Sequence, residues 1–245
     1  MTVIAFDDVT KRFGDSVALD KVTFSVPAGG IFGFLGGNGA GKTTSLRMMV
    51  DILHPTSGQI RMFGRPPSRE ANRKIGYLPE ERGLYQNMTG RENLLYFASL
   101  KGMAMPEAKR RAQVVFERFG VADVADQKVK TLSKGTTQKF QVAAAILPAP
   151  PLLLLDEPFS GLDPVAQTEL EAIFRDLAQE GTTIVFSTHI MQQAERLCGR
   201  LLLMAKGRLL FEGTVAEANA RVPTGTGLHD AFVHMVTQSA LELAR

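Results

Sequence analysis

A nine-residue run from Gly36 to Thr44, GGNGAGKTT, constrains this chain more than any other stretch. It fits the pattern G-x-x-x-x-G-K-[ST], with Gly36, Gly41, Lys42 and Thr43 in the defined places. Backbone N–H groups can wrap a polyphosphate only where side chains leave the approach open, which accounts for the glycines. The run Gly36, Gly37, Asn38, Gly39, Ala40, Gly41, Lys42, Thr43 and Thr44 is therefore the candidate nucleotide cradle. Lys42 would sit among the β- and γ-phosphate oxygens, and the Thr43 hydroxyl would reach a Mg2+ bound to them. The flanks agree. Gly30 to Leu35 reads as a short buried strand, and Thr43 to Met49 opens an apolar-faced helix whose N-terminus adds partial positive charge.

The rest of the chain narrows the setting. Its 245 residues suffice for one large domain or two small ones. A net charge of +3, with no basic run interleaved by aromatics, gives no reason to expect a nucleic-acid partner. The start, Met1 to Asp8, is neither basic nor strongly apolar, so secretion is not expected. No window approaches the ~18 unbroken apolar residues of a membrane helix. The nearest, Val142 to Leu155, is cut by Pro148, Pro150 and Pro151. A single cysteine, Cys198, rules out an internal disulfide and a cysteine-built metal site. The expected location is the cytoplasm.

Periodicity predicts strands at Thr2–Asp7, Ala18–Val26, Gly30–Leu35, Ile75–Leu78, Pro151–Leu155 and Thr182–Ser187, with a closing hairpin at Arg200–Met204 and Leu209–Glu212. Between Thr89 and about Leu147 the pattern is helical. Thr89 can cap Gly90–Leu100 with Glu92 at the third helical position. Pro106–Phe119 and Lys134–Leu147 follow, and Gln167–Gln179 and Ile190–Cys198 are later helices. Strands alternating with helices argue for an α/β fold, a mainly parallel sheet covered on both faces. The helical block, about 84–148, reads as an inserted subdomain within a domain of residues 1–215. Residues 216–245 read as an appended C-terminal tail, helical towards its end.

Four leucines, Leu152 to Leu155, run straight into Asp156 and Glu157. Such a strand buries itself and presents acids at its C-terminal edge, as phosphoryl transfer requires. Asp156 would hold Mg2+, directly or through water, and Glu157 would polarise the attacking water. His189 follows the strand ending at Thr188, where the ligand crevice of an open α/β sheet lies. It can reach a γ-phosphate or the water. The candidate catalytic residues are Glu157, His189 and Lys42.

Leu132-Ser133-Lys134-Gly135 lies 23 residues before Asp156 (156 − 133). A Ser and a Gly at a helix N-terminus make a second anion-binding surface. With the phosphate loop, LLLLDEP, Ser160-Gly161-Leu162-Asp163 and Thr188-His189, the chain resembles the ATP-binding subunit of an ABC transporter over about Val3 to Gly213. Gly76 to Tyr85 is similar to the subgroup serving drug- or sodium-efflux permeases. The resemblance implies a P-loop NTPase (RecA-like) core, an antiparallel β part at the N-terminus, and ATP with Mg2+ as cofactors. It further implies that two such subunits, homodimer or heterodimer, stack head to tail. Ser133 and Gly135 would then bind in trans the γ-phosphate held by Lys42, Asp163 would couple the two sites, and Phe13 would stack on adenine. A transmembrane permease, docking near Leu84 to Gly102, would be the partner. That places the subunit on the inner face of the cell membrane, driving export.

Several positions depart from the family pattern. Lys134 replaces a glycine and Thr136 a glutamine in the signature, Gly37 replaces a proline in the phosphate loop, and Glu80 stands where relatives carry a glutamine. A carboxylate there can ligate Mg2+ or its water, so Glu80 is a further metal candidate. The alternative reading is a soluble ABC ATPase acting on ribosomes or nucleic acid. That class carries two cassettes in one chain or a long coiled-coil insertion, and this sequence has neither. A P-loop kinase or GTPase would have no use for the signature segment.

Overall fold

The computed structural model describes residues 1–81, 83–222 and 227–243. Strands β1 (Thr2–Phe13) and β2 (Ser16–Pro27) form an antiparallel hairpin, and β4 (Ser57–Met62) pairs antiparallel with the other edge of β1. Their apolar residues alternate, so one face is buried. Phe6 pairs with Phe24 across the hairpin, with ring centroids 4.5 Å apart. Sequence periodicity does not predict β4, because only Ile60 and Met62 of its six residues are buried.

The second sheet has six strands in the order β5-β6-β7-β3-β8-β9. They are β3 (Ile31–Leu35), β5 (Ile75–Leu78), β6 (Leu152–Asp156), β7 (Thr183–Thr188), β8 (Arg200–Ala205) and β9 (Arg208–Thr214). All neighbours are parallel except β8 and β9, which make the expected hairpin. Every residue of β3, β6 and β7 is buried, as strands covered on both faces must be. Along β6 the side chains divide between two cores. Leu152 and Leu154 join the first sheet and helix α1 (Lys42–Met49), while Leu153 and Leu155 face a larger cluster on the opposite side.

Chain between β5 and β6 supplies α3 (Gly90–Leu100), α4 (Met105–Arg118) and α5 (Lys134–Ile146), after a short α2 (Arg69–Asn72) that precedes β5. The predicted capping box at α3 is present. Thr89 Oγ1 accepts from the Glu92 N–H, and Glu92 Oε2 accepts from the Thr89 N–H. Ala112, Val115 and Phe116 of α4 turn inward as a helical period requires. Helices α6 (Pro164–Gln179) and α7 (Met191–Leu197) cover the larger core. The predicted helix at Gln167 starts three residues earlier, because Asp163 caps it and Pro164 occupies its first turn.

Where the pattern loosens after Thr214, a second capping box (Thr214 with Glu217) starts the short α8 (Val215–Asn219). Helix α9 (Leu228–Leu243) inserts Leu228, Ala231 and Met235 into the larger core. Arg82, within the segment similar to efflux subunits, lies outside the described residues, as do Ala244 and Arg245 at the end of the tail. Among the described residues no helix is long and apolar enough to cross a membrane.

Candidate functional site

Because β3, β5, β6, β7 and β8 run parallel, their C-terminal ends share one edge, and the predicted chemistry gathers there. The loop leaving β3 reaches α1 through Gly41, whose φ of +103° puts it in the left-handed region. A Cβ there would come within 2.5 Å of Leu19 Cδ2 and 2.8 Å of the Ala18 carbonyl. At Gly36 a Cβ would run into the Met204 carbonyl. The loop is therefore packed from beneath at both ends. Gly37, Asn38 and Gly39 are exposed, Ala40 is buried, and Thr43 and Thr44 are half-buried. The Gly37 position is open, so the absent proline leaves no void.

Lys42 is only 6% exposed, a costly place for an ammonium unless its donors are used. Its Nζ donates to the carbonyls of Gly36 (2.7 Å) and Gly37 (3.3 Å) and lies 3.8 Å from Glu157 Oε1. The same carboxylate oxygen is 3.0 Å from His189 Nδ1. Lys42, Glu157 and His189, chosen from three separate stretches of sequence, thus meet around one oxygen. The His189 ring remains exposed beyond the pair.

Asp156 is 1% exposed. Its Oδ1 accepts from Ser187 Oγ at 2.5 Å, and its Oδ2 is buried without a hydrogen-bond partner among the described residues. Such an orphaned carboxylate oxygen is costly, and a hard divalent cation would satisfy it. Ser187 Oγ also accepts from the Glu157 N–H at 3.0 Å, so one hydroxyl fixes both acids. Ser187 is a site residue that sequence reasoning missed. The available signal was a polar residue at the C-terminal end of an otherwise apolar strand. Gln193 is a second, 2% exposed, its Oε1 accepting from Thr188 Oγ1 at 2.7 Å beside His189.

Ser133 caps α5, its Oγ accepting from the Thr136 N–H at 3.1 Å. The Thr136 hydroxyl lies 2.8 Å from the same oxygen, so Thr136 supports the serine from its own side chain. Gly135 faces α6, where a Cβ would sit 3.8 Å from Ala166 Cβ. Lys134 lies across Gly161, filling the space a side chain would need there. Asp163 accepts from the N–H groups of Val165 and Ala166 at 3.0 Å each. The Ala166 N–H foremost, and that of Val165, hold its carboxyl below the ordinary 3.8. Neither Ser133 nor Asp163 bonds to the Lys42–Glu157–His189 cluster.

Phe13 is 48% exposed at the end of β1, with Lys11 Nζ 5.0 Å from its ring centroid, so it is no core phenylalanine. Glu80 is exposed two residues past β5. The pairing of Leu78 with Leu155 brings it off the sheet at the same edge as Asp156, but no hydrogen bond joins it to the cluster.

The family model described as ABC transporter matches residues 19–160. The uncharacterized ABC transporter ATP-binding protein YhaQ of Bacillus subtilis is 46% identical over 215 residues, 88% of this chain and 72% of that protein. Nod factor export ATP-binding protein I of Burkholderia thailandensis is 42% identical over 213 residues, 86% of this chain and 70% of that protein. A solved ATP binding subunit of an ABC transporter superposes with a TM-score of 0.87 at 29% identity, covering 96% of this chain and 99% of that one.

Proposed function

This chain belongs to the ABC transporter ATP-binding family, and we propose that it works as a head-to-tail pair closed around ATP and Mg2+, driving export by a partner permease. Subunits of the family are ATPases coupled to transport, so ATP hydrolysis is the activity to be explained. The observation that carries the reading is the meeting of Lys42 and His189 on Glu157, beside an Asp156 with one oxygen unsatisfied. That is half of a hydrolytic site. The anion-binding serine and glycine are at the head of another helix, outside the cluster, which supports their acting on a second subunit's nucleotide.

In this reading Lys42 exchanges the Gly36 and Gly37 carbonyls for phosphate oxygens. Asp156 Oδ2 and the Thr43 hydroxyl would hold Mg2+, with Glu80 as a further ligand directly or through water. When bound, the ion would neutralise charge on the β- and γ-phosphate oxygens. Glu157 orients the attacking water and receives its proton as the bond from the γ-phosphorus to the bridging oxygen breaks, releasing ADP and phosphate. With both ring nitrogens protonated, His189 would donate Nδ1–H to Glu157 and Nε2–H to a γ-phosphate oxygen. Phe13 stacks on adenine. Ser133, Gly135 and Asp163 close the site from the second subunit, so hydrolysis depends on dimer closure.

A groove of about 400 Å3 between β5, α3 and α5, lined by Tyr77, Leu78, Leu84, Phe97 and Leu100, supports docking of a permease helix, which would hold the subunit at the membrane. The relative named for Nod factor export supports the outward direction. Glu157→Gln should bind ATP with Mg2+ without turning it over, and gel filtration should then show a dimer. A variant that binds ATP tightly yet stays monomeric would refute the sandwich.

A further inference from the structure

Glu171 is a buried carboxylate that the hydrolytic site leaves unused, and it joins the two helices that leave that site. Helix α6 is capped by Asp163, and α7 starts two residues after His189. Glu171, 4% exposed on α6, places Oε1 2.9 Å from an Arg196 guanidinium nitrogen on α7, an ion pair by distance without hydrogen-bond alignment. Its Oε2 lies 3.6 Å from Arg175 of its own helix. Arg175 in turn donates to the Arg196 carbonyl at 3.2 Å, so both the side chain and the main chain at this end of α7 are held. At the other end, Gln193 accepts from Thr188 Oγ1, and Thr188 Oγ1 accepts from the Ile190 N–H at 3.0 Å, which fixes the turn carrying His189.

We infer that Glu171 is a positioning residue for His189, setting the rotation of α7 and thereby the contact of the imidazole with Glu157. A buried ion pair is weak support for stability, since well-packed apolar residues of similar volume serve as well or better. Breaking it is another matter, because moving Arg196 away would leave a buried carboxylate uncompensated, a penalty that no apolar pair imposes. Helix α7 has seven residues, about 10 Å of rise at 1.5 Å per residue, too short to absorb a rotation before it reaches His189. The same carboxylate ties α7 to the helix that opens at Asp163, so the two segments move together.

The inference rests on His189 acting in hydrolysis, and the experiment separates the two claims. In the full chain, Glu171→Leu should keep the wild-type far-UV circular dichroism and its KM for ATP, while kcat falls about tenfold. The imidazole 15N signals of His189, identified by their loss in His189→Ala, should move in Glu171→Leu while those of the distant His54 stay. Glu171→Gln, which keeps the shape and removes the charge, should show the same changes if the leucine variant folds poorly. Full turnover by His189→Ala would overturn the role of His189 and this inference with it. With His189→Ala impaired, unmoved His189 signals or an unchanged kcat in the Glu171 variants would overturn the inference alone. A rise in KM with kcat intact would do the same.

Discussion

Glu157 holds its backbone at a φ of +48°, in the left-handed region that an L side chain enters at a cost of about 1 kcal/mol. The residue stays there because Ser187 Oγ takes its N–H, and because its carboxylate is fixed between Lys42 and His189. The strained conformation aims the side chain across the phosphate loop instead of along the strand. Removing the Cβ should relieve the strain and end catalysis together. Glu157→Gly is therefore expected to be at least as stable as Glu157→Ala in urea denaturation, by up to about 0.5 kcal/mol, the left-handed penalty less the extra chain entropy of glycine. Both should lose nearly all turnover. A Glu157→Gly variant less stable than Glu157→Ala by about 0.5–1 kcal/mol, the chain-entropy cost alone, would mean that the conformation carries no strain.

Helix α6 carries its most exposed functional side chain as a cap, which makes the cap sensitive to acid. Asp163 binds two backbone N–H groups as a carboxylate, and its folded acid constant lies below the ordinary value of 3.8. A lowered folded value means the cap's contribution is complete above the unfolded value and is lost as pH falls through the folded one. Asn caps as well as Asp and does not titrate. Between about pH 7 and pH 4 the melting temperatures of wild type and Asp163→Asn should run parallel, and below about pH 4 the wild type should fall faster. Parallel curves down to about pH 2 would show that the carboxylate is not needed at the cap.

Other elements were legible in the sequence to different degrees, for physical reasons. The Thr89–Glu92 box and the Leu152–Leu155 run are local signals and are found where they are predicted. Strand β4 buries only two side chains and owes its form to pairing with β1, a long-range partner that no local period encodes. Lys42, Glu157 and His189 were each readable from a motif, whereas Ser187 became visible only when β6 and β7 paired and set its hydroxyl against both acids.

At the scale of the whole molecule, five parallel strand ends gather one half of the proposed nucleotide site, and the remaining donors sit on α5 and α6, where among the described residues they bond to their own helices. If those donors act in trans, the two halves can be inactivated separately and restored by mixing. In a pair made of one Lys42→Ala chain and one Ser133→Ala chain, one site joins two altered halves. The other joins an intact Lys42 to an intact Ser133. Each variant alone should hydrolyse ATP at no more than a few per cent of the wild-type rate, the scale of losing one transition-state contact. Equal mixtures should regain about a quarter of it, since half the pairs are mixed and each offers one sound site of two. This applies where pairs exchange freely and sites act independently. Activity that stays at the average of the two variants at every mixing ratio would place Ser133 and Lys42 in the same chain's site, and the closed pair would lose its purpose.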